Sequence, residues 1–300
     1  MRELRRIVTV GLSLAIGVTV VSHSRVASIE SEDVPLQADG AILAATVSRP
    51  RFGDGPWPAL VVVPGSGSQP RHSVPGVVSE LVPGGVVALT YDKRGTRRST
   101  GGYPSPAVEI SEESLGVLAE DALVAWRYLS RRDDVDPERI GFVGGGHASW
   151  VMSLAADRES RVACFVALSG PAVTVGEERL YSSLTGDGAL SRPLLSDDEI
   201  SRRLSAFEGP HGHDPRRTLW SLRCPSLWLL GGLDQSQPAV LTRERLEWAR
   251  SAGLELDVEW FPRADHRLRD RLTDERLDYW PVITGWLDRQ GMTGERRDLR

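Results

Sequence analysis

Cysteine is scarce in this chain. The 300 residues hold two, Cys164 inside an apolar run and Cys224 just before another. Such a pair cannot build a disulfide scaffold, and both read as buried, inert thiols. A basic excess is also missing. Lys and Arg number 36 against 41 Asp and Glu, a formal charge of −5, and no basic stripe interleaves with aromatics. That speaks against a nucleic-acid partner. No internal repeat is visible, and 40% apolar with 26% charged residues excludes collagen, coiled coil and disorder. A chain of this size buries roughly three quarters of its unfolded surface, so its core needs neither disulfides nor a metal.

What is present begins with a targeting pattern. Arg2, Arg5 and Arg6 precede an uncharged run from Ile7 to Val21, long enough for the apolar core of a signal peptide but short of the roughly 20 residues of a spanning helix. Residues 1–28 therefore read as an export signal with cleavage near Ser22 to Ser28, and the protein as secreted, periplasmic or on the cell surface. The alternative is an uncleaved anchor, the one way this chain would meet a membrane. Removing 1–28 takes four Arg and one Glu and leaves a mature charge of about −8.

From residue 36 to the C-terminus short apolar runs alternate with amphipathic stretches, the βα pattern of a mostly parallel sheet. Strands are expected at 42–48, 59–63, 86–91, 140–144, 162–168, 226–230 and 256–261, largely as continuous apolar runs that imply helices on both faces. Leu115, Leu118, Ala122, Trp126 and Leu129 recur at helical spacing, and Asp136-Pro137 is expected to stop that helix before the next strand. Residues 171–222 break the rhythm with helical fragments around 177–183 and 197–207 and no strand. An insertion there, at the C-terminal edge of a parallel sheet, reads as a small helical cap over a substrate site. The charged tail 294–300 is expected to fray.

Four motifs stand at the ends of these strands in a telling order. They are Val-Val-Val-Pro-Gly-Ser-Gly (61–67), Tyr-Asp-Lys-Arg-Gly (91–95) followed by Ser99-Thr100-Gly101, Leu-Trp-Leu-Leu-Gly-Gly-Leu-Asp (227–234) and Phe-Pro-Arg-Ala-Asp-His (261–266). Together they resemble the α/β-hydrolase superfamily, in its serine esterase, dienelactone-hydrolase-like or peptidase-like branch. The resemblance implies an α/β-hydrolase fold: a mostly parallel central sheet, helices on both faces and a small helical cap, filling residues 29–300. It also implies a pocket for a small ester or acyl ligand and no cofactor.

The family's nucleophile sits on a sharp strand-to-helix turn, Gly-X-Ser-X-Gly. Here residues 144–148 read Gly144-Gly145-Gly146-His147-Ala148, so Gly146 takes the nucleophile position, and a glycine cannot attack a carbonyl. Asp234 and His266 follow in the family's order of acid and base; by resemblance the aspartate would hold the imidazole tautomer and the histidine would move the proton. Gly65-Ser66-Gly67 resembles the oxyanion loop, with the Ser66 and His147 amides as donors; Pro64 stands where many relatives carry histidine. Three readings remain open: an Asp–His pair acting on water or an acidic C–H, an inactive hydrolase-fold protein that binds its ligand without turnover, and a serine esterase acting through Ser149. His211-Gly-His213-Asp214 has a metal-like spacing but no third histidine or cysteine nearby, so no metal site is expected. Tyr91 to Gly95 reads as a turn closed by an internal ion pair, and Trp126, Trp228 and Trp260 as core.

Overall fold

The computed structural model describes residues 28–74, 76–103, 110–187 and 195–294. The segment read as an export signal, apart from Ser28, and the tail beyond Gly294 lie outside these. Strands are β1 (Ile29–Ala38), β2 (Ala41–Pro50), β3 (Trp57–Val63), β4 (Val87–Tyr91), β5 (Val135–Gly145), β6 (Phe165–Leu168), β7 (Ser226–Gly231) and β8 (Leu256–Phe261). Helices are α1 (Glu112–Leu129), α2 (Ala148–Arg158), α3 (Val175–Thr185), α4 (Asp197–Ser205), α5 (Arg216–Ser221), α6 (Ala239–Ser251) and α7 (Trp280–Arg289). One sheet runs β1-β2-β4-β3-β5-β6-β7-β8, antiparallel at β1/β2 and β2/β4 and parallel from β4 to β8.

The period-2 geometry of a strand explains why this sheet is covered twice. Ala59, Val61 and Val63 of β3, with Trp228 and Leu230 of β7, enter the core shared with α1, α2 and α6. Their neighbours Leu60, Val62, Leu227 and Leu229 enter a second core closed by the turn at 77–84 and by Ile283, Trp286 and Leu287 of α7. Apolar side chains on both faces are what made these strands read as unbroken runs. Helix α1 is started by Ser111, whose side chain accepts from the Ser114 N–H, with Glu112 and Glu113 in the first turn. Both cysteines are buried and free. Trp126 and Trp228 are fully buried, whereas Trp260 only packs against the core rim with Arg243 over its ring.

Two elements differ from the pattern reading. Strand β1 was not anticipated, because Ile29-Glu-Ser-Glu-Asp is polar; it is an edge strand, mostly exposed and joined to β2 through Gly40 at φ +67°. Strand β5 begins at Val135, not Ile140, and runs through Asp136-Pro137. Trp57 pairs with Val135 and Ala59 with Ile140, so the extra residues form a bulge that takes the proline without a lost ladder bond. Between β6 and β7 the described residues form helices α3, α4 and α5 and no strand.

Candidate active site

Strand β5 ends in Gly144-Gly145, Gly146 and His147 form the turn, and α2 starts at Ala148, which forces a sharp reversal. A Cβ on Gly144 would lie 2.6 Å from the Ala148 Cβ and 2.8 Å from the Val63 carbonyl oxygen, so only a bare backbone lets the helix cross the strand here. Gly146 holds the turn in the left-handed region at φ +54°, its N–H donating to the Leu168 carbonyl at 2.9 Å.

Two more strand ends converge on this turn. A side chain at Gly231 or Gly232 would strike the carbonyls of Ala264, Asp265 or Pro262 at 2.6–2.7 Å, so the glycine pair lets the loop after β7 lie against the loop after β8. That contact sets Asp234 Oδ2 2.9 Å from His266 Nδ1. Asp234 Oδ1 accepts the N–H groups of Ser236 and Gln237 at 2.8 and 2.9 Å, which fixes its carboxylate. The loop bearing His266 is fixed by Asp265, whose carboxylate accepts the N–H groups of Arg267 and Arg269. On its far side His266 faces the elbow: Nε2 is 3.3 Å from where a Cβ on Gly146 would stand. Burial alone would push the His266 pKa down, but the charge and hydrogen bond of Asp234 outweigh it and hold it above the ordinary value.

The glycine-rich loop after β3 borders the same turn. A Cβ on Gly65 would be 3.0 Å from the Gly145 carbonyl oxygen. Side chains hold its carbonyls from behind: Lys93 Nζ donates to Gly65 O and Gln69 Nε2 to Ser66 O, each at 2.7 Å. His147 is buried edge-on to Trp150, and burial, with Lys93 and His213 nearby, pushes its pKa down to about 3. Its ring is a neutral packing group.

Other marked residues go elsewhere. Ser149 is buried and donates to the Pro171 carbonyl at 3.2 Å, packed against Gly170, so its hydroxyl is not offered to His266. His211 pairs with the Thr174 hydroxyl, while His213 packs on the edge of Trp150; among the described residues no cluster of three or more His, Cys, Asp or Glu is placed to hold a metal. The Tyr91–Gly95 turn is not closed internally: Asp92 pairs with Arg71 at 3.1 Å, and Arg94 reaches Asp121 on α1, Nε to Oδ2 at 2.7 Å. Partners that close a turn from other elements are invisible in a five-residue motif.

Two groups at the site carry no sequence motif, and a third, Lys93, lies in the 91–95 motif without being marked there as a site residue. Tyr181 of α3 donates its hydroxyl to the Asp234 carbonyl at 2.6 Å, which docks α3 on the loop after β7. One turn earlier, Glu178 feels both Asp234 and His266; burial, reinforced by Asp187, raises its pKa to about 7. Lys93 is 1% exposed and is the only lysine among the chain's 36 basic residues, a signal that could have been counted.

No family model matches the chain. A 112-residue stretch is 32% identical to the acyltransferase drtE of Aspergillus calidoustus, covering 37% of this chain and 34% of that protein, so the match spans about a third of the curated relative. Among solved structures, the Pyrococcus horikoshii acylaminoacyl peptidase superposes with a TM-score of 0.63 at 15% identity, over 90% of this chain and 43% of its own. The Pyrococcus furiosus esterase Pf2001 superposes with a TM-score of 0.64 at 17% identity, over 87% of this chain and 92% of its own. The chain has the α/β-hydrolase fold. In that fold Gly146 stands on the strand-to-helix elbow, and the loops after β7 and β8 bring Asp234 and His266 up to it. No described helix is long and apolar enough to cross a membrane.

Proposed function

We propose that this chain is an α/β-hydrolase-fold enzyme for small ester or acyl substrates in which Asp234 and His266 act on water rather than on a serine. The observation that carries the reading is the directed pair: His266 Nδ1 bound to Asp234 and Nε2 aimed at a bare Gly146. A nucleophilic hydroxyl needs a side chain at the elbow, and here that volume is open to a water within reach of Nε2. The water would give a proton to Nε2 as its oxygen attacks the acyl carbon. Asp234 would stabilise the imidazolium, which then returns the proton to the leaving alkoxide, so that acid and alcohol are the products. The amides of Ser66 and His147 would face the developing oxyanion, with Lys93 and Gln69 holding the loop that bears Ser66.

The test is steady-state hydrolysis of p-nitrophenyl acetate. Turnover by the wild-type protein that Asp234→Asn and His266→Ala each lower at least tenfold, with no labelling by a fluorophosphonate, is the expected result. Absence of turnover moves the reading to a hydrolase-fold binding protein, and stoichiometric fluorophosphonate labelling at Ser149 restores a serine esterase. We further propose that residues 1–28 direct export; N-terminal sequencing of exported protein should begin just after the Ser22–Ser28 stretch or within it, and a mature chain that keeps Arg2 would leave an anchor instead.

A further inference from the structure

One wide cavity does not touch the elbow. A cleft of about 1180 Å³ opens on the other side of the acid loop, bounded by Asp234 and Gln235 but not by Gly146, His266 or the Gly65–Gly67 loop. This volume is at the upper end of small-molecule sites.

Its walls are two helix faces. Along α4, residues 197, 200, 201, 204 and 205 line the cleft, the i, i+3, i+4, i+7 spacing of a single stripe. Ile200 and Leu204 of that stripe, with Phe207 beyond it, belong to neither hydrophobic core. Opposite stand Val240, Leu241, Glu244 and Arg245 of α6. Leu233, Val240 and Leu272, exposed at 45%, 51% and 75%, border the same opening. Three of the exposed large hydrophobic side chains thus meet on one concavity, where they would contact the body of a ligand.

Charge selects the other end of that ligand. Glu177 is neutralised by Arg245, Nη1 and Nη2 to its two oxygens at 2.8 and 2.6 Å. Asp274 accepts Arg269 Nε at 2.9 Å, and Asp265 is occupied by backbone N–H groups. Asp197 on one wall and Glu244 on the other have no ion pair among the described residues, and both are exposed at the rim. Arg271 adds a positive charge near Asp274, so six acidic and two basic residues line the cleft, which has an apolar interior under a rim with surplus negative charge.

We propose that this cleft is a second binding site, separate from the elbow, for a small amphipathic cation: an apolar body lying between α4 and α6 with an ammonium or guanidinium group between Asp197 and Glu244. The probe is octyltrimethylammonium, titrated calorimetrically into the full protein below its micelle concentration, beside octanol and octanoate. One cation should bind per chain, at least tenfold more tightly than octanoate, and decyltrimethylammonium should bind roughly tenfold more tightly again, as two further buried methylenes require. Filling the cleft with Leu204→Trp, or from the exposed position Ser201→Trp, should weaken the cation at least tenfold. Asp197→Asn with Glu244→Gln should cut the preference for cation over octanoate to under threefold while octanol binding persists. Because the elbow takes no part, His266→Ala should bind the cation as the wild type does, which separates this result from the fate of the hydrolytic reading. No saturable binding, equal affinity for octanoate, or full affinity in both tryptophan variants with unchanged circular dichroism would overturn the proposal.

Discussion

His266 Nε2 and Gly146 are joined by geometry without a bond: a methylene built on the glycine would stand 3.3 Å from that nitrogen. A hydroxyl carried on it would fall within hydrogen-bond reach of an imidazole already bound to Asp234. Gly146→Ser is therefore expected to raise p-nitrophenyl acetate hydrolysis at least tenfold and to create fluorophosphonate labelling at residue 146. Adding His266→Ala should abolish both. The cost is backbone strain at φ +54°, about 1–2 kcal/mol for a residue with a side chain, visible as a lower melting temperature. A stable Gly146→Ser variant with no gain would mean that the pair and the proposed oxyanion loop are out of line.

The pair also sets a pH dependence. Burial would lower the His266 pKa, yet Asp234 holds it above the ordinary value. A pKa raised on folding contributes stability that is fully present below about pH 6.5 and is lost as pH rises through the folded value. Asp234→Asn should accordingly shift the His266 titration, read from its imidazole NMR signals, downward. It should also cost more stability in urea at pH 5 than at pH 9. A His266 titration indifferent to the change would remove Asp234 as the cause.

The strand ends and their loops were legible because parallel strands buried on both faces write themselves as apolar runs, and because glycines mark where loops must pass close. Gly144, Gly231 and Gly232 stand where the structure brings up carbonyls of the adjoining loops or α2. Polar edge strand β1 left no such trace, since only one neighbour and much solvent constrain it. The groups that tune the site were less legible still. Glu178 and Tyr181 reach Asp234 only because α3 docks there, and contacts across more than fifty residues have no local signature. Asp92 and Arg94, adjacent in a motif, take partners on different elements.

Lys93 gives a second pH signature of opposite sign. Burial lowers its pKa from 10.5 to about 7, against the pull of Asp121. Between those values the unfolded chain holds a proton that the folded chain does not, so this group makes stability rise with pH across the window, by at most roughly 5 kcal/mol. Lys93→Met should flatten the rise in urea midpoint between pH 7 and pH 10. It should also lower any turnover, because the Gly65 carbonyl loses its 2.7 Å partner. An unchanged slope would mean that the amine keeps its proton in the fold.

Crossing of α2 over β5 rests on an absent side chain, and that can be measured apart from any chemistry. At Gly144 a Cβ would meet the Ala148 Cβ at 2.6 Å and the Val63 carbonyl oxygen at 2.8 Å, both below the separation real atoms tolerate. One obstacle is backbone of the central strand β3, which cannot swing aside, so the helix must lift and the elbow with it. Gly144→Val is expected to cost about 3 kcal/mol or more, lowering the melting temperature by roughly 6–10 °C. Gly102→Ala is the control: nothing lies within 4 Å of its added methyl, and its stability should stay within about 0.5 kcal/mol of the wild type. Equal losses at the two positions would show a general intolerance of added methyl groups and would deny the crossing its special demand for glycine.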